Sequence, residues 1–280
     1  MTAVTPAPRT AVRPTRGAPA RTGPTWARVL RAEWTKLTSV RSNLWLALGT
    51  TAVAAGTAYG LGLFVRPDDG RSGSWVVTSG FVLAQLGFLV LGVLVGTSEH
   101  TTGTARTTST TVPRRFPVLA AQVQVTLVAA LVTAVAALGA SSLATEGVRG
   151  AGAPALDLSV PGTSRALLGF VAASAAVALL GLGLGALLRH SATALVTGVL
   201  LTIVGDHLLA TNPGRVTDTI RAFLPSSGSR LTQDDAALAT LDAATLGPRL
   251  GVWGGGAVAL AWVLVGLAAA AYRLKRHDIR

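Results

Sequence analysis

Cysteine is absent from the 280 residues, which excludes disulfides and thiolate metal sites. Histidine is sparse, and His100, His190, His207 and His277 stand singly, in no HExxH or other ligand spacing, so no metal site is expected. Charge is sparse too: 13% of residues are charged, where soluble domains carry about a quarter. Lysine is nearly missing, with Lys36 and Lys275 alone among the 24 basic residues. Neither follows a glycine, so the chain has no GxxxxGK[ST] phosphate loop and encodes no nucleotide site of that kind. The GxSxG elbow is missing as well, which removes the nucleophile motif an intramembrane hydrolase would need. No catalytic residue, metal or cofactor is therefore assigned to this chain.

What is present is apolar. Half of the residues are hydrophobic, 32 are glycine, and the mean hydropathy is +0.54. A hydrocarbon core about 30 Å thick is crossed by about 20 apolar residues. Six runs meet that length, near 45–65, 75–97, 117–143, 166–188, 191–210 and 250–272. The expected fold class is an all-α polytopic membrane protein with six transmembrane helices, residues 273–280 forming a short tail. The first run lacks a small-residue cleavage site after it and reads as a retained span, not a signal peptide.

Lysine and arginine are unevenly shared between the two sides. Sixteen of the 24 fall in residues 1–44 and 98–116, at Arg189 and in 273–280, and eight fall in the three loops of the other side. The positive-inside rule then puts both termini of this expected multi-pass plasma-membrane protein in the cytoplasm. This spread also argues against nucleic acid as the partner of the +12 net charge, since that would need the basic residues on one soluble face.

The region before the first span divides in two. Residues 1–24 hold five prolines and four arginines with almost no bulky apolar group, and are expected to be a disordered cytoplasmic arm. Residues 25–44 are expected to carry an amphipathic interfacial helix. Trp26, Val29, Leu30, Trp34, Leu37 and Val40 recur at steps of three or four on one apolar stripe, with Arg28, Arg31, Lys36 and Arg41 off it. Too charged to cross, it should lie among the lipid headgroups with its tryptophans as anchors.

Within the spans, glycines recur four apart at Gly56 and Gly60, Gly92 and Gly96, Gly181 and Gly185, and Gly251 and Gly255. Such pairs let helix backbones approach closely, either inside one chain or across a dimer, and the sequence does not choose. Asp206, followed by His207, stands near the end of the fifth run and reads as an interfacial pair.

Two motifs and a third segment carry a resemblance. "RAEWTKLTSVRSNLW" contributes Glu33, Trp34, Lys36, Leu37, Ser39, Arg41 and Ser42; "EHTTGTARTTSTTVPRR" contributes Glu99, Gly103, Thr104, Arg106, Thr107, Pro113, Arg114 and Arg115; "FLPSSGSRL" stands at 223–231. With six spans, they resemble the permease subunit of bacterial type-two ABC exporters, actinobacterial branch. The resemblance implies a pathway formed with a second permease chain, as homo- or heterodimer, for efflux of a small amphipathic substrate. It also implies a separate ATP-binding subunit, holding ATP and Mg, docked on the interfacial helix (Trp26, Glu33, Trp34, Lys36, Leu37, Arg41) and on a coupling helix in 98–116 (Glu99, Gly103, Thr104, Arg106, Thr107, Arg114, Arg115). Glu99 is expected near the N-terminus of that coupling helix, where the helix dipole favours an acid. Pro113 should end the helix, and Arg114 and Arg115 should anchor the third span at the headgroups. A secondary transporter and a non-transporting membrane anchor or regulator are the alternative readings.

Overall fold

The computed structural model describes residues 25–66, 69–101, 116–149 and 152–277. Among them there are helices and no strands. A short helix α1 (Trp26–Ser39) is followed by α2 (Arg41–Phe64), α3 (Gly73–Thr78), α4 (Phe81–Thr101), α5 (Phe116–Gly147), α6 (Thr163–Leu188) and α7 (Ser191–Ala210). Beyond α7 come α8 (Arg215–Ala222), a 3-10 segment Pro225–Thr232, α9 (Asp235–Ala244) and α10 (Gly251–His277). Among the described residues, six stretches are long and apolar enough to cross a membrane: Arg41–Phe64, Gly73–Ser98, Phe116–Gly147, Thr163–Leu188, Ser191–Ala210 and Gly251–Lys275. The chain is an all-α, multi-pass membrane protein.

Three boundaries differ from the sequence reading. Val40 is extended (φ −91°, ψ 107°), so the interfacial helix expected over 25–44 stops at Ser39, and Arg41 opens the first span. The second span, expected as one run, breaks after Thr78: Ser79 and Gly80 form a turn, and a side chain on Gly80 would collide with the Ala54 backbone of α2. The last helix continues through Arg273 to His277, where a tail was expected.

The centre of the bundle is the pair α4 and α6. About two-thirds of the most apolar window of each is buried inside the protein, against about a fifth for α2 and α10 and less for α7. Glycine explains how close they come. A Cβ on Gly92 would strike the Ala178 carbonyl, one on Gly96 the Leu182 carbonyl, and one on Gly181 the Leu89 carbonyl. Backbone thus lies on backbone, the small-residue packing that associates helices where no hydrophobic drive exists. Phe88, Leu89, Val93, Phe170 and Ala178 fill the space around it, and Phe81 meets Phe170 edge to face, centroids 5.8 Å apart. The glycine pairs therefore separate. Gly92, Gly96, Gly181 and Gly185 pack within the chain, while Gly56 and Gly60 on α2 have nothing within 4 Å.

The end of the bundle away from α1 is closed by polar contacts. The 3-10 segment packs on α6 and α10: Gly169 lies under the Leu231 carbonyl and Gly255 under that of Ser227. Asp234, 2% exposed, caps α9 by accepting the Ala237 amide at 2.8 Å, and it also accepts the hydroxyls of Ser72 and, at 3.0 Å, Ser74. Thr78 donates to the Thr232 carbonyl at 3.0 Å, so α3, α9 and the 3-10 segment are held as one unit.

Burial pushes the Asp234 carboxyl up, but the Ser72 hydroxyl, the Ala237 amide, the Ser74 hydroxyl and the Arg165 charge outweigh it and hold the group below the ordinary aspartate value. A carboxyl depressed in the folded state stabilises fully above its unfolded pKa of about 3.9, and the stabilisation is lost as pH falls through the lower folded value. Asp234→Asn should therefore cost about 2 kcal/mol at pH 7, two charge-assisted bonds being weakened, and the difference from the parent should shrink by pH 3. Thermal unfolding of the detergent-solubilised pair at both pH values checks this, and a gap that does not narrow on acidification would contradict it.

Candidate functional site

The end of the bundle that carries α1 gathers the residues the sequence singled out. Val29, 8% exposed, and Leu30 pack on Val118 and Ala121 at the start of α5, and Leu37 reaches the main core. Trp26 and Trp34, expected on the same stripe, stay 47% and 41% exposed, and Val40 is 48% exposed beyond the helix end. The face that packs on the protein runs through Val29, Glu33 and Leu37, an i, i+4, i+8 line, and leaves both tryptophans on the open side of the helix.

That line buries an acid. Glu33 is 6% exposed and accepts the Lys36 ammonium at 2.5 Å, while Lys36 itself stays half-exposed. An ionised carboxylate leaves water at a cost of several kcal/mol unless paired, so Lys36 is what lets Glu33 sit inside. Asn43 completes the joint, its side-chain amide donating to the Leu37 carbonyl at 2.9 Å and satisfying a carbonyl that the helix end leaves open. The apolar stripe predicts neither the role of Asn43 nor the burial of Glu33. The sign for Glu33 is its spacing, since position 33 falls four after Val29 and four before Leu37.

Between α1 and the spans lies a cleft of about 410 Å³. Glu33, Lys36, Leu37 and Ser39 of α1 line one side, Ser42 and Asn43 of α2 another, and Leu94, Val95, Thr97 and Ser98 of α4 a third, with Val125 and Ser191 completing it. The helix of the first motif thus borders the last described turns of α4, directly before the second motif begins at Glu99. Its walls are mainly apolar with a few hydroxyls and one ion pair, the usual make-up of a ligand or partner pocket.

The second motif is only partly placed. Glu99 lies in α4, which is described as far as Thr101, and the coupling helix expected to begin near it lies outside the described residues. Gly103, Thr104, Arg106, Thr107, Pro113, Arg114 and Arg115 lie outside the described residues, as does the arm 1–24.

At the far end, α7 carries a π-helical turn at Leu200–Val204, a local irregularity often found at functional positions. Asp206 does not pair with His207. Its carboxylate takes the Arg221 guanidinium (Nε–Oδ1 3.1 Å, Nη2–Oδ2 3.4 Å), while His207 Nδ1 lies 2.9 Å from the Ile203 carbonyl oxygen. The interfacial pairing thus ties α7 to α8. Arg221 stands fifteen residues further along a folded loop, too remote for local periodicity to reveal.

Compared with known proteins, the chain matches no family model and no curated protein.

Proposed function

We propose that the chain is the membrane-spanning permease subunit of an ABC exporter. With a second permease chain it would form the export pathway for a small amphipathic substrate, driven by a separate ATP-binding subunit that supplies ATP and Mg. The observation that carries this reading is the shared cleft, where α1 and the emerging end of α4 border one space. A partner pressing on the segment after Thr101 would load α4 directly, and one pressing on α1 would act through α5 and α2, on which α1 packs. α4 in turn lies backbone to backbone on α6, so the load passes to the centre of the bundle. Both termini would be cytoplasmic, in line with the arginine distribution.

The test is a complex co-purified with the ATP-binding chain and reconstituted in liposomes, with substrate export and ATP hydrolysis read together. Gly103→Pro and Glu99→Ala should lower export per ATP hydrolysed or release the partner, while Thr240→Ala on exposed α9 should do neither. Reduced coupling with undiminished stability would mark a contact with the partner. Failure to recover any ATP-binding chain from native membranes would sink the proposal.

A further inference from the structure

Next to the cleft, with which they share Val125 and Lys36, two hollows meet at Arg31 of α1. One, about 300 Å³, lies between α1 and α5 and is lined by Ala27, Leu30, Arg31, Trp34, Gln124, Val125 and Val128. The other, wider and more open, is bordered by Arg28, Arg31, Thr35 and Lys36. The surface is thus apolar on one side of Arg31 and cationic on the other.

Gln124 gives it a specific meaning. Of the glutamines in the spans, Gln85 and Gln122 are buried, whereas Gln124 is exposed on the outer face of α5. Among the described residues no side chain or carbonyl is hydrogen-bonded to its amide. A 32-residue helix is about 48 Å long against a hydrocarbon core of about 30 Å, so roughly six residues at each end stand outside that core. Gln124, ninth in α5, falls within about one turn of that boundary, the depth of the lipid ester groups. A bare amide there is costly unless the surrounding lipid supplies an acceptor.

We infer that this surface is a binding site for one anionic phospholipid. An acyl chain lies along Leu30 and Val128 beside the Trp34 ring, an ester carbonyl accepts from Gln124, and the phosphate is held by Arg31 with Arg28 beside it. The charge decides the headgroup. Neither arginine has an acidic partner among the described residues, and the acid of α1, Glu33, is buried on the opposite face and taken by Lys36. The site stands on the membrane-spanning fold and does not depend on the transport reading.

The experiment is native mass spectrometry of the full-length, detergent-solubilised chain titrated with phosphatidylglycerol and, separately, phosphatidylcholine. The first phosphatidylglycerol should bind about tenfold tighter than phosphatidylcholine, two arginines each contributing about a fivefold preference at most. Arg31→Gln should remove most of that preference, and Gln124→Leu should weaken both lipids about threefold without changing their ratio, since it serves the ester and not the charge. Arg215→Gln, an exposed arginine of α8, should change nothing. Equal binding of the two lipids overturns the proposal, as does an Arg215→Gln effect equal to that of Arg31→Gln, which would mean general charge attraction. If Arg31→Gln keeps the lipid preference but releases an ATP-binding chain, the arginines belong to a protein partner and the lipid site is refuted.

Discussion

A leucine in place of Gly92 is expected to abolish recovery of folded protein, whereas a leucine in place of Gly56 should leave the melting temperature of the monomer unchanged. The two glycines are alike in sequence: each opens a four-residue glycine pair in an apolar helix. Their surroundings differ completely. A Cβ on Gly92 meets the Ala178 carbonyl and the Leu182 amide of α6, both backbone, and neither can rotate away. Ordinary overpacking costs about 1–3 kcal/mol because side chains yield; here the helices themselves must separate, and they form the central packing of the bundle. Gly56 meets nothing within 4 Å. Thermal unfolding and size-exclusion profiles of both variants in detergent decide the matter. A normally folded Gly92→Leu chain would show that α4 and α6 do not approach as closely as described. An altered elution volume for Gly56→Leu with an unaltered melting temperature would mark α2 as a contact between chains.

The same pair of glycines shows where sequence reading stops. Spans are legible because crossing hydrocarbon needs about 20 apolar residues in a row, and that requirement is local; the fifth run, 191–210, coincides with Ser191–Ala210, and the others agree within a few residues at most ends. What a glycine packs against is a tertiary fact, so the sequence cannot tell Gly56 from Gly92. The turn at Ser79–Gly80 is hidden for a related reason, since its flanking residues are all compatible with one helix and the close approach of Gly80 to the Ala54 backbone is a tertiary contact. Asp206 is legible as a polar residue at the end of a span, but its partner Arg221 is brought to it by the fold of the loop and not by helical spacing. Of the α1 residues, Val29, Leu30 and Leu37 pack as the periodicity suggests. Trp34 groups with them on hydrophobicity alone, although an amphipathic ring is equally at home at an interface.

Glu33 is the residue whose role the structure changes most, and it supports a sharp prediction. An acid that is 6% exposed is tolerated because Lys36 lies 2.5 Å away, its stem along the helix and its ammonium half in water. Removing one member of a fully buried pair costs about 3–5 kcal/mol, but water can reach this carboxylate from the side where Lys36 is exposed, so about 1–2 kcal/mol is expected for Lys36→Leu. The cost falls on the docking of α1 to α5 and not on the spans. Limited trypsin digestion reads it directly, because Arg28 and Arg31 are cleavable once α1 leaves the bundle, and their cleavage should quicken about tenfold, the equivalent of about 1.4 kcal/mol. Adding Glu33→Gln to Lys36→Leu should recover most of the protection, since an uncharged amide no longer needs the ammonium. If the double variant is cleaved as fast as Lys36→Leu alone, the pair does not hold α1 in place. If it is protected yet fails to retain an ATP-binding chain that the parent retains, then Glu33 or Lys36 also touches the partner, and the cleft between α1 and α4 is where that contact is made.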